Sequence, residues 1–115
     1  MSGNSGNDEV SGDSGNDRIH GRTGNDRLSG GSGGDFATGD RGDDRVRGGA
    51  GDDRLFGAQN DDTIRGNAGD DRLVGAAGDD TLRGNSGDDR LFGGPGQDSR
   101  DGGPGNDQPE EPVSD

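Results

Sequence analysis

The sequence repeats every nine residues, and this period constrains the fold more than any other feature. With Gly3 as first position, twelve consecutive frames follow without insertion or deletion. The first position is always Gly. The sixth is always Asp: Asp8, Asp17, Asp26, Asp35, Asp44, Asp53, Asp62, Asp71, Asp80, Asp89, Asp98 and Asp107. The fourth is Gly except at Asn60, and Asn also tolerates left-handed backbone. The eighth is aliphatic through ten frames (Val10, Ile19, Leu28, Ala37, Val46, Leu55, Ile64, Leu73, Leu82, Leu91) and then fails at Arg100 and Pro109. A frame therefore reads as a six-residue turn followed by a three-residue strand with one inward apolar side chain. Three residues cannot stand alone as a strand. Copies stacked at short period can form a parallel ladder whose apolar residues align as a core, which is how a solenoid is built.

Composition narrows the function. Leu, Ile, Val and Phe number fourteen of 115 residues, too few for an ordinary core given roughly 1–2 kcal/mol of backbone entropy per residue. A conventional globular enzyme is not expected. The 25 acidic residues face 12 basic ones, a net charge of −13, which weighs against nucleic-acid binding through phosphates. No apolar run supports a membrane span or a signal-peptide core. With no Cys and one His, thiolate metal sites are excluded, and the charge favours a hard cation held by oxygen.

The frame resembles the RTX (repeats-in-toxin) nonapeptide G-G-x-G-x-D-x-U-x, where U is a large aliphatic residue. Residues 48–56 (Gly-Gly-Ala-Gly-Asp-Asp-Arg-Leu-Phe) match at every position, and residues 84–92 match with Asn85 as the one substitution. The resemblance implies an all-β fold: a right-handed parallel β-roll, or β-solenoid, with two nonapeptides per 18-residue turn and about six turns. It also implies Ca²⁺ between successive turns along both edges, and an extracellular, secreted setting.

Ca²⁺ takes six to eight oxygen ligands, and one turn offers only part of such a shell, so each ion must be shared with the next turn. The sixth-position Asp residues named above are the expected metal ligands. Asp8, Asp26, Asp44, Asp62, Asp80 and Asp98 would form one edge, and Asp17, Asp35, Asp53, Asp71, Asp89 and Asp107 the other. Five gaps on each of two edges set a ceiling of about ten ions. The fifth position, acidic from Asp43 through Asp88, is read as auxiliary, through a carbonyl or a hydrogen bond.

No catalytic constellation is expected, because a lone His20 leaves no nucleophile–base–orienter set. His20 reads as a solvated surface residue. Outward ninth positions on one sheet run His20, Thr38, Phe56, Val74, Phe92, and on the other Ser11, Ser29, Arg47, Arg65, Arg83. The Phe56–Val74–Phe92 strip either stabilises its sheet by in-register stacking or serves self-association or contact with a parent protein. Phe36 is read as partly covering the gap left by small Ala37. The roll should span residues 3–101, with its best repeats in 3–92. Residues 102–115 read as a degenerate repeat and disordered acidic, Pro-bearing tail. Other readings are the calcium-binding part of a larger secreted toxin or enzyme, such as a protease or lipase, and an adhesive or ice-binding roll.

Overall fold

A computed structural model describes residue 3 and residues 6–103. Eleven strands occur among them: β1 Glu9–Ser11, β2 Arg18–His20, β3 Arg27–Ser32, β4 Phe36–Thr38, β5 Arg45–Ala50, β6 Arg54–Ala58, β7 Thr63–Arg65, β8 Arg72–Ala76, β9 Thr81–Arg83, β10 Arg90–Phe92 and β11 Ser99–Asp101. Odd strands form one parallel sheet in the order β1-β3-β5-β7-β9-β11, and even strands form the other, β10-β8-β6-β4-β2. Every pairing joins residues eighteen apart, as in Val46↔Ile64 and Leu55↔Leu73. Two frames therefore make one turn, and the chain is a β-solenoid. The described residues complete about five turns against the six expected; the second half of the sixth falls beyond residue 103.

One aliphatic side chain per frame faces inward. Ile19, Leu28, Ala37, Val46, Leu55, Ile64, Leu73, Leu82 and Leu91 are buried in a single cluster, with Val10 partly buried against it. Phe36 does not fill the space beside Ala37. As a seventh-position residue it points outward, where its ring lies 5.2 Å from that of Phe56 and 6.4 Å from that of His20. The last strand carries half-buried Arg100 opposite Leu82, so the core series ends where the sequence loses its aliphatic residue.

Several strands run past three residues into the following turn, reaching Ser32, Ala50, Ala58 and Ala76. The inward–outward alternation continues through the first-position Gly, which is buried because it lies beneath the sixth-position Asp of its own frame. A Cβ on Gly66 would strike the Asp71 carboxylate. This glycine supplies room. The fourth position needs conformation instead: Gly51 has φ +104°, and Asn60 adopts φ +76° in the frame that lacks Gly. The second position also lies in the left-handed region, even where Arg22, Ala58 and Ala76 occupy it. Of the expected tail, residues 104–115, including Asp107, lie outside the described residues.

Candidate metal centre

The turns bring the sixth-position Asp residues into two rows, one along each edge of the roll. On one edge the backbone N–H of Asp8 donates to Asp26 Oδ1 at 2.7 Å, Asp26 to Asp44 at 2.7 Å, Asp44 to Asp62 at 2.7 Å, Asp62 to Asp80 at 2.8 Å and Asp80 to Asp98 at 2.7 Å. On the other edge Asp17, Asp35, Asp53, Asp71 and Asp89 are linked in the same way, each bond 2.8 Å long. Each accepting carboxylate reaches back to the preceding coil with one oxygen. The eleven described Asp residues separate onto two edges as the 18-residue turn requires.

The second oxygen is left over. Oδ2 of Asp17, Asp26, Asp35, Asp44, Asp53, Asp62, Asp71, Asp80 and Asp89 is buried with no hydrogen-bond partner. A buried acceptor without a partner costs about 1–3 kcal/mol, and more when charged. Nine in one small roll must be neutralised, by a proton or by a cation. Burial accordingly pushes the carboxyls of Asp44, Asp53 and Asp80 up to about 7, and those of Asp62 and Asp71 up to about 8. Neighbouring carboxylates add to this effect, and the amide bond from the preceding coil opposes it. Asp35 and Asp98 are raised for the same leading reason.

The fourth-position carbonyl of Gly51 is directed at Gly69 one coil ahead, while Asp71 reaches back to the amide of Asp53. Both coils thus aim oxygen into the space between them. Among the described residues no three acidic or imidazole side chains converge. The side-chain donors along both edges are carboxylate oxygens, which suit Ca²⁺ and do not suit softer metals. The orphaned Oδ2 atoms fit such an ion.

The fifth-position side chains behave differently. Asn7, Asn16, Asn25, Asp43, Asp52, Asp61, Asp70 and Asp79 each accept from the fifth-position N–H of the following coil, at 2.8–3.0 Å. Gly34 has no side chain with which to do so. This is the hydrogen-bonding auxiliary role expected of the position, and its forward direction was not legible. Asn standing where Asp stands elsewhere was the available signal, since an amide oxygen can accept but contributes no charge. His20 is half exposed and has a carboxylate neighbour, with Nδ1 4.0 Å from Asp40 Oδ2.

A stack of short coils with a row of buried carboxylates along each edge defines a parallel β-solenoid built from nonapeptide repeats. The chain belongs to the RTX calcium-binding nonapeptide repeat family, whose four-copy profile matches residues 2–37, 29–64, 38–73, 65–99 and 74–109. No curated protein matches the chain.

Proposed function

We propose that the chain is a non-enzymatic calcium-binding module that folds when Ca²⁺ enters between its stacked turns. The observation that carries this reading is the double row of buried, unpartnered Asp Oδ2 atoms. The sixth-position residues Asp8 to Asp98 are the proposed ligands, with Asp107 included by its place in the repeat. Up to about ten ions would be held, one per gap on each edge. Residues 3–101 form the roll in this reading, and 102–115 are a degenerate repeat and tail.

Without cations the Asp rows repel across a strand spacing of about 4.8 Å. With cations the same rows bind neighbouring coils together. No site exists in an extended chain, so the free energy of metal binding is free energy of folding. Dissociation constants of about 10⁻⁴–10⁻³ M, usual for extracellular calcium modules, suit a chain that stays unfolded at low calcium and orders after export. The secreted setting rests on the family alone. Far-UV circular dichroism during a calcium titration tests the proposal, with magnesium as control. A cooperative gain of sheet with Ca²⁺ and little response to Mg²⁺, which demands tighter octahedral geometry and keeps its waters, is the expected result. A spectrum indifferent to calcium would refute it.

A further inference from the structure

One inward position of the roll carries a charge. The eighth residue of each frame is aliphatic from Val10 to Leu91, and the next in the series is Arg100. Arg100 is half-buried in the middle of β11, in register with Leu82 of β9. In the fully stacked frames the sixth and eighth residues are both buried, as Asp62 and Ile64 are. Residues two apart share a face of an extended chain, so the same frame geometry sets Arg100 on the inward side with Asp98. Asp98 is the last inner-row aspartate of its edge, and it differs from those before it. Half-buried, it is not among the nine with an orphaned Oδ2. Asp44, Asp62 and Asp80 are pushed up by burial and further by other carboxylates. Burial raises Asp98 too, but the positive charge of Arg100 opposes the rise.

A carboxylate withdrawn from water needs a proton or a cation, and an inward guanidinium needs an anion. At the end of this edge the chain supplies both. We propose that Arg100 takes the place of calcium in the last gap of the edge, between Asp80 and Asp98, so that this gap is closed by a guanidinium and holds no ion. Asp98 is then the exception among the proposed ligands, and the ceiling of about ten ions falls by one. The guanidinium offers several donors to carboxylate and carbonyl oxygens. Its methylene stem can cover the Leu82 layer while the charged head reaches the edge. An aliphatic residue at this position would cover the same layer and leave Asp98 without a counter-charge. The proposal rests on calcium filling the other gaps.

Equilibrium dialysis of the full chain at saturating calcium tests it, with bound metal counted by atomic absorption and circular dichroism on each sample. R100M keeps an unbranched side chain and removes its charge. It should bind an ion more than wild type, because Asp98 then takes its cation from solution. R100K keeps the charge and should bind the wild-type number. D98N should leave the wild-type number unchanged and should remove the extra ion from R100M. D62N, in a gap that calcium fills, should lower the number. A purely structural role for Arg100 would shift the melting temperature without moving the count. An unchanged count in R100M, or an ion lost in D98N alone, overturns the proposal and leaves calcium binding in the other gaps intact. If R100M gains no sheet with calcium, the D98N count decides by itself. A wild type that binds no calcium overturns this proposal and the proposed function together.

Discussion

In the central frames, from Asp43 to Asp89, two adjacent aspartates meet opposite fates. Asp62 is buried, reaches back one coil with Oδ1 and leaves Oδ2 without a partner. Asp61 beside it is exposed, and reaches forward to the amide of Asp79. The inner row is Asp in every frame, whereas the outer row is Asp, Asn, Gln or Gly. Hydrogen bonding explains the outer row, since Asn serves as well as Asp. It does not explain the inner row, because an Asn there could supply the same Oδ1. On the proposed reading, what the inner row adds is a second, unpartnered carboxylate oxygen, Oδ2, available to calcium.

The strongest way to break this contrast is to exchange charge for amide in each row. D62N/D71N should raise the calcium midpoint for folding about tenfold or more, since changes even outside the ligand set of a metal cost about 10–100-fold in affinity. D61N/D70N should stay within about 0.5 kcal/mol of wild type, as surface changes usually do. Equal effects in the two titrations would erase the distinction between the rows.

Acid should sharpen it. The raised carboxyls of the metal-free roll bind protons that the unfolded chain has already released. Their contribution to the metal-free fold is therefore fully present below the ordinary value of 3.8 and is lost as pH rises through about 7 to 8. Calcium requires the opposite protonation state. The calcium-free chain is unfolded in this account, so its carboxyls ionise near 3.8. The calcium midpoint should therefore rise as pH falls through about 5 towards that value, and binding at neutral pH should release almost no protons. Calorimetry in buffers of different ionisation enthalpy measures that release directly. Substantial proton release at neutral pH would contradict binding from an unfolded chain and point to a metal-free roll with protonated inner-row carboxyls.

Smaller effects separate the two kinds of glycine position. Gly66→Ala places a methyl against Asp71 and should destabilise the calcium-loaded roll by about 1–3 kcal/mol. Ala58→Gly and Ala76→Gly relieve left-handed alanines, at φ +77° and +68°, and should each stabilise by about 1 kcal/mol. Thermal melts at fixed calcium compare all three.

The nine-residue period makes the inward aliphatic residues legible in the sequence alone. The 18-residue pairing and the two Asp rows came instead from the resemblance to the RTX nonapeptide, because a period of nine does not say how many frames close a turn. A repeat reports which residue recurs, and says little about which way its side chain reaches. For that reason the backward bond of Asp62 and the forward bond of Asp61 needed the structure. The left-handed second position was hidden because Arg22, Ala58 and Ala76 are residues that seldom adopt it. The setting of Phe36 was hidden for a related reason: a neighbouring gap suggests filling, but strand alternation turns the ring to the outer face.

The most direct test is a crystal structure grown with calcium, with an anomalous difference map to locate the ions. Peaks are expected between coils on both edges, within about 2.3–2.6 Å of inner-row carboxylate oxygens such as those of Asp62 and Asp71. Peaks confined to the exposed fifth-position carboxylates, or empty gaps between ordered coils, would contradict calcium bridging by the inner row.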